Sequence, residues 1–219
     1  MIMKKIMTLS LVGIFLLVIP ASADAACGSA FGTLTTGQVL GQGRGNFGLA
    51  VGVADATSFV GTFSYGLSTY SDGRIKLGLM DPDGPGDAKM VLGVDYKWQF
   101  WSFGPQTKHP FDFAVGGFFE YVDFDGLSIF QLGGQLIASY PISLKNGKTL
   151  TPYGRVNARM ESLSFDLPAW ASADDSESNL EVGLNAGVKW DMTPTVSLFG
   201  EFQLDGNDGL FLGIDFNIM

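Results

Sequence analysis

Cysteine and histidine are almost absent from this chain of 219 residues, which contains one of each, Cys27 and His109. A single cysteine cannot form an intramolecular disulfide, so a disulfide-stapled secreted domain is excluded. Most hydrolases need a histidine base beside a nucleophile, and no serine or paired aspartate stands beside His109 in the sequence. We therefore expect no enzymatic activity and no catalytic residue, with carboxylate-only hydrolysis as the enzymatic alternative left open.

Charged residues are also scarce, at 16% of the chain, and the formal net charge is -9. An acidic surface repels phosphates, so we expect no nucleic-acid partner. The only long apolar run covers residues 9–19, after Lys4 and Lys5 and before the small residues 21–25. This order is typical of a cleaved secretory signal peptide, which we assign to residues 1–25. The run is shorter than the roughly 20 residues that a membrane helix needs.

What the chain has in abundance is glycine, phenylalanine and alternation. Between residues 46 and 219, about ten segments alternate apolar with polar residues, most clearly residues 180–190. Each segment predicts a strand with one apolar and one polar face. Their number and length predict an all-β fold, a closed antiparallel up-and-down transmembrane β-barrel of about ten strands, with eight or twelve left open. Residues 26–45 have no firm period and are predicted to be a periplasmic leader or part of the first strand.

The alternating strands, the Ser64-Tyr65-Gly66-Leu67 stretch and the C-terminal pattern of Gly213, Phe216 and Ile218 carry a resemblance. The chain resembles the small, porin-like outer-membrane β-barrel proteins of Gram-negative bacteria. The resemblance implies export to the outer membrane, contact with its lipid and lipopolysaccharide, and an assembly signal at Gly213, Phe216 and Ile218 that the outer-membrane assembly machinery reads. The family usually ends in an aromatic residue, whereas this chain ends in Met219. The oligomeric state is left open.

The polar faces of the predicted strands carry equal numbers of basic and acidic residues. Assigned to the lumen, the basic ones are Arg74, Lys76, Lys89, Lys97, Arg155, Arg159 and Lys189. The acidic ones are Asp95, Asp112, Glu120, Glu161, Glu181, Glu201 and Asp215. Because isolated buried charges are costly, we expect these residues to pair. They favour either a salt-bridged lumen with a structural role or a narrow passive channel for small solutes, in which Arg155 and Arg159 steer anions.

The connections predicted to face outward are acidic. They include residues 81–87 and 162–178 and the turns that hold Asp123, Asp205 and Asp208. Oxygen-rich loops of this kind can bind Ca²⁺ or Mg²⁺ weakly, but none has a complete calcium-loop spacing, so we expect no resident metal or cofactor.

Two other functions fit parts of the pattern. A soluble periplasmic lipocalin-like barrel would bind a ligand with the apolar faces turned inward. A surface adhesin would use the 162–178 loop. Aromatic residues near the predicted strand ends favour the membrane barrel, because amphipathic rings prefer the lipid–water interface. These residues are Tyr65, Tyr70, Tyr96, Trp98, Trp101, Tyr121, Tyr140 and Trp190.

Overall fold

The described part of the chain folds into ten long β-strands and one two-residue strand. The computed structural model describes residues 29–54, 56–82, 88–102, 110–124, 127–145, 147–165 and 176–218. The first six strands are β1 (Gly45–Val53), β2 (Ala56–Gly66), β3 (Ser71–Pro82), β4 (Lys89–Trp101), β5 (Asp112–Phe124) and β6 (Leu127–Ser139). The others are β7 (Ile142–Ser143), β8 (Thr149–Phe165), β9 (Ser176–Asp191), β10 (Val196–Leu204) and β11 (Gly209–Ile218).

The ten long strands close into one antiparallel barrel. Each strand from β1 to β6 pairs with the next, β6 pairs with β8, and β8 to β11 again pair in order. The sheet closes where β11 pairs with β1, with Gly45 opposite Ile218 and Val53 opposite Leu210. The two-residue β7 only extends the β6–β8 connection by pairing with β8. The predicted fold, with ten rather than eight or twelve strands, is confirmed.

Successive connections between the strands lie alternately at the two ends of the barrel. We call the end where β1 begins, at Gly45, the lower end, and the end where β1 finishes, at Val53, the upper end. Connections at the lower end are residues 67–70, 102–111, 140–148 and 192–195. Connections at the upper end are residues 54–55, 83–88, 125–126, 166–175 and 205–208.

The outward face of the barrel is apolar on every long strand. Large hydrophobic side chains that would form the core of a soluble protein are exposed instead, as for Phe59 (54%), Leu132 (55%) and Leu180 (72%). A soluble monomer rarely exposes a contiguous apolar patch of more than a few hundred Å². A continuous apolar belt around a closed sheet is the surface that lipid requires, because closure leaves no unpaired backbone edge in the hydrocarbon.

The inward face is polar, which is the reverse of a soluble ligand-binding barrel. Glu120, Arg159, Glu161 and Glu201 are each 1% exposed and point into the lumen. The lipocalin-like alternative required an apolar interior and is therefore wrong.

The exposed aromatic residues lie mainly at one end. Tyr65, Tyr70, Tyr96, Trp98, Trp101, Tyr140 and Trp190 are at or beside the lower ends of their strands. Tyr121 is near the upper end of β5. The aromatic residues predicted near strand ends thus form a belt mainly at the lower end, which we call the aromatic belt.

The connection predicted at residues 162–178 is partly strand, at residues 162–165 and 176–178. β8 continues to Phe165 and β9 starts at Ser176, with Ser162 opposite Ser178 and Ser164 opposite Ser176. The serine and glutamate residues there suggested a loop. In the structure β8 and β9 stay hydrogen-bonded to each other beyond the apolar belt. The remaining residues of that loop, 166–175, lie outside the described residues.

No helix in the described part of the chain is both long enough and apolar enough to cross a membrane.

Candidate functional site

The candidate site is the barrel lumen, which is lined by inward-facing charges. All the charged residues that the alternation assigned to the lumen occupy inward positions on their strands. The basic ones are Arg74, Lys76, Lys89, Lys97, Arg155, Arg159 and Lys189. The acidic ones are Asp95, Asp112, Glu120, Glu161, Glu181, Glu201 and Asp215.

A chain of ion pairs joins β3, β4 and β5 in the middle of the lumen. Arg74 pairs with Asp95, which lies opposite it on β4. The Nζ atom of Lys76 is 2.9 Å from Asp95 Oδ1 and 2.6 Å from Glu120 Oε1. Gly93 lies between Lys76 and Glu120 in the register, and a Cβ there would be 2.6 Å from Lys76 Cε. The glycine therefore provides the space through which Lys76 reaches Glu120.

A second cluster surrounds Arg159 nearer the upper end. Arg159 lies 3.4 Å from Asp205 Oδ2 and 3.7 Å from Glu161 Oε2, and it also donates to the main-chain oxygen of Asp205. Asp205 belongs to the β10–β11 turn, outside the strands, and burial raises its pKa to about 6 even though Arg159 opposes the shift. The expectation that Asp205 is a solvent-facing loop acid is wrong, because the turn directs its side chain into the lumen, where it is 5% exposed.

Two more ion pairs lie near the lower end. Lys97 Nζ is 3.5 Å from Asp72 Oδ2, and Lys189 Nζ is 2.9 Å from Asp191 Oδ1. The sequence-based set omitted Asp72 and Asp191, because each stands next to turn-forming residues. Their position in the alternation was the signal that identifies them as inward-facing.

Residues 29–44, which we call the N-terminal segment, run through the lumen without forming a strand. Near the upper end, the main-chain oxygen of Ser29 accepts hydrogen bonds from Gln203 (2.8 Å) and Asn207 (3.1 Å). At the lower end, the N–H of Gly43 donates to the main-chain oxygen of Gly66, after which the chain enters β1. This corrects the expectation for these residues, which neither extend the first strand nor lie outside the barrel as a leader would.

Several lumen charges bind neutral groups, including groups of the N-terminal segment, and Glu201 and Arg155 are two of them. Glu201 accepts hydrogen bonds from the main-chain N–H groups of Thr33 (2.5 Å) and Leu34 (2.8 Å) and from the Tyr153 hydroxyl (2.6 Å). Arg155 donates to the Thr33 hydroxyl at 3.2 Å, and its guanidinium carbon lies 4.8 Å from the centre of the Phe118 ring. The lumen charges were expected to pair with one another. Glu201 and Arg155 instead bind amide and hydroxyl groups of the N-terminal segment.

Neutral polar residues of the wall also bind the N-terminal segment. The sequence-based set, which contained only charged residues, did not include them. They are Gln99, Ser139, Gln203 and Asn207, all buried. The first three occupy inward positions of the same alternation, so a search for inward amides and hydroxyls would have found them. Asn207 lies in the β10–β11 turn, where the alternation gives no signal.

A cavity of about 100 Å³ remains beside the N-terminal segment in the lower half of the lumen. It lies between Leu34 and Val39 of the segment and Asn46, Ser64 and Asp215 of the wall. A water molecule needs about 10–15 Å³ of such space, so the cavity is large enough for several waters.

The wall has no room for a side chain at Gly66, where the N-terminal segment passes. A Cβ on Gly66 would lie 1.8 Å from the main-chain oxygen of Gly41, so one of the two backbones would have to move. Gly66→Ala is expected to lower the free energy of unfolding by about 1–3 kcal/mol, as overpacking does. Urea unfolding in lipid vesicles measures it. Gly61→Ala is the control, since its Cβ would meet nothing closer than 3.7 Å, and equal losses in both variants would contradict the argument.

The remaining predicted features are placed as follows. Gly213 faces inward, whereas Phe216 and Ile218 are exposed on the outside, and their reading by the assembly machinery stays a prediction. Cys27 and His109 lie outside the described residues, as does much of the acidic loop sequence. In the described ranges, no three His, Cys, Asp or Glu side chains come together to hold a metal ion, and weak Ca²⁺ or Mg²⁺ binding at the loops stays a prediction.

No protein-family model matches this sequence, and neither does any curated protein sequence. Solved structures with a similar chain path include the KdgM porin, at 7% identity over 80% of this chain and 99% of that chain, with a TM-score of 0.41. The N-terminal β-barrel domain of Pseudomonas aeruginosa OprF has 12% identity over 81% and 99%, with a TM-score of 0.36. Ail of Yersinia pestis has 12% identity over 81% and 100%, with a TM-score of 0.32. Likenesses this distant carry no argument about function.

Proposed function

We propose that the protein is an outer-membrane β-barrel of Gram-negative bacteria whose lumen is sealed by its own N-terminal segment, so that its resting role is structural. The occupied lumen carries the proposal. Ser29, Phe31 and Thr33 are 0–2% exposed inside the barrel, and the free volume beside the segment is about 100 Å³. We therefore expect the segment to block the passage of solutes while it is in place.

The exterior supports insertion in a membrane. The apolar belt gives way to polar residues at the upper end, where Asp81, Asp123 and Ser178 are exposed. The aromatic belt marks the lower end, where Trp98 and Trp101 are exposed. We place the lower end in the periplasm, because the acidic connections predicted to face outward, including residues 83–87 and 166–175, leave the strands at the upper end.

A non-enzymatic role is part of the proposal. The lumen carboxylates bind cations, hydroxyl groups or main-chain amides, as Glu120 and Glu201 do. The adhesin alternative depended mostly on residues 166–175, which lie outside the described residues.

Passive transport of small solutes is the second candidate function, and one observation favours it. The N-terminal segment joins β1 through Gly41 and Gly43, which have positive φ angles and no atom within 4 Å of where a Cβ would lie. A linker of this kind is a low-cost hinge, because glycine reaches such backbone angles without strain. Displacement of the segment about this hinge would expose the polar wall.

Membrane fractionation and gel mobility test the location and the fold. We expect the protein in the outer-membrane fraction, with an unheated sample that migrates faster than a boiled one because the closed barrel resists detergent. Recovery in the soluble periplasm with no change in mobility on heating would overturn the membrane assignment. In planar bilayers, the resting protein is expected to be closed at low voltage. A steady large conductance would overturn the sealed lumen while leaving the membrane assignment intact.

A further inference from the structure

The lumen wall satisfies a row of main-chain N–H groups in the N-terminal segment. Besides the two amides bound by Glu201, the N–H of Gly37 donates to Ser139 Oγ (3.1 Å) and the N–H of Val39 to Gln99 Oε1 (3.1 Å). The N–H of Leu40 donates to Asp72 Oδ2 at 3.2 Å. These acceptors are side chains from separate strands around the barrel. The backbone groups of the strands are not available, because they are hydrogen-bonded to neighbouring strands.

The wall also supplies donors to the carbonyl groups of the same segment. Lys97 uses its three protons on the Thr35 hydroxyl (2.9 Å), the Thr36 oxygen (3.0 Å) and the Gln38 oxygen (2.6 Å). Arg74 donates to the Thr33 oxygen at 2.8 Å. Contacts to main-chain groups are available to any peptide of the same conformation, so this part of the recognition does not depend on sequence.

Sequence preference arises at the upper half of the segment. The Phe31 ring is 2% exposed, and Lys76 Nζ lies 4.6 Å from its centre. Leu34 is 8% exposed and packs beside Gly213. Gly32 has a φ angle of 60°, and a Cβ there would meet the Phe211 ring at 3.0 Å. The wall therefore selects an aromatic residue, then glycine, and an aliphatic residue two positions later.

We propose that the lumen is a binding site for an extended peptide with this aromatic–glycine–x–aliphatic pattern, and that the N-terminal segment is the occupant supplied by the chain itself. The proposal rests on the sealed lumen proposed above. The ligand lies with its N-terminus toward the upper end, as residues 29–40 do. Since the segment uses the inward-facing donors and acceptors of the wall, a second peptide binds by replacing the segment, and the two exclude each other.

The test uses the full chain with a protease site inserted between Gln42 and Gly43, an exposed position of the linker. The protein is folded with its segment in place and then cut, so that folding does not depend on an empty lumen. A fluorescent peptide with the sequence of residues 29–40 is added, and both its binding and the release of the cut segment are measured. We expect saturable binding that matches segment release one for one.

Two control peptides separate specific recognition from adsorption. A peptide carrying Phe31→Ala is expected to bind about tenfold or more weakly, because a buried aromatic side chain is lost. A peptide of the same composition in scrambled order is expected not to displace the segment. Equal binding of all three peptides, or a cut segment that is never released at any peptide concentration, would overturn the peptide site. Heat-dependent mobility of the cut barrel reports separately on the membrane-barrel assignment.

Discussion

The variant Phe31→Ala/Leu34→Ala is expected to convert the sealed barrel into a conducting one. Both side chains are buried against the lumen wall, and they are the largest apolar contacts of the N-terminal segment. Truncation of a buried phenylalanine costs about 3–5 kcal/mol and that of a buried leucine about 2–5 kcal/mol. A shift of about 5.5 kcal/mol takes a two-state equilibrium from 1:99 to 99:1. The two truncations together are therefore large enough to make the displaced state dominant.

Single-channel recording in planar bilayers measures this effect, and heat-dependent gel mobility establishes that the variant is folded. Val39→Ala is the matched control, since Val39 belongs to the same segment, is only half-buried, and keeps its main-chain bond to Gln99. We expect the control to stay as closed as the unmodified protein. A folded double variant that also stays closed would show that hydrogen bonds alone hold the segment.

Replacement of Arg159 by methionine is expected to cost about 3–5 kcal/mol of unfolding free energy, the range for breaking a buried ion pair. The substitution keeps the length of the side chain but leaves Glu161 and Asp205 buried without their shared cation. Adding Asp205→Asn removes one of the stranded charges, so the double variant is expected to recover part of the loss. Urea titration in lipid vesicles, followed by tryptophan fluorescence, measures both.

Lys189→Met is the matched control for this prediction. Lys189 and its partner Asp191 have side chains that are 22% and 31% exposed, so water screens the pair. Exposed pairs contribute about 0–1 kcal/mol, and we expect a loss in that range. A loss for Lys189→Met equal to that for Arg159→Met would show that burial does not set the value of these ion pairs.

Alternation predicted the barrel well because the two-residue period of a strand is a local property. Once Leu180 and Val182 face lipid, Glu181 and Gly183 must face the lumen, whatever the rest of the chain does. The same rule placed both Arg74 and Asp95 on the inner wall before the register was known. It gave no information on which charges meet, because that depends on the register between strands.

The N-terminal segment was not predicted, because nothing in its own sequence describes its surroundings. Residues 29–44 lack a period, and their partners are far away in the chain. The Thr33 amide binds a glutamate 168 positions later, at Glu201. Such contacts satisfy polar backbone that forms neither helix nor strand, and only the closed barrel brings them together.

Asp205 and residues 162–165 show a second limit of sequence patterns. Aspartate and serine are typical of turns and loops, and both stretches were assigned to solvent for that reason. Composition reports which residues tolerate a turn, not the direction in which a turn points or how far a ladder continues. Asp205 faces inward, where it forms an ion pair with Arg159. Strand β8 continues beyond residue 161 because it is hydrogen-bonded to β9.

The path of the N-terminal segment also imposes an order on folding. Ser29 is held by Gln203 and Asn207, which are 174 and 178 positions away in the chain. Ser29 acquires these two partners only when β10 and the β10–β11 turn are in place, whereas its hydroxyl also donates to Glu120 on β5. Contacts of such long sequence separation are the slow ones to form. We therefore expect the barrel wall to close and the N-terminal segment to bind in the same late step of folding.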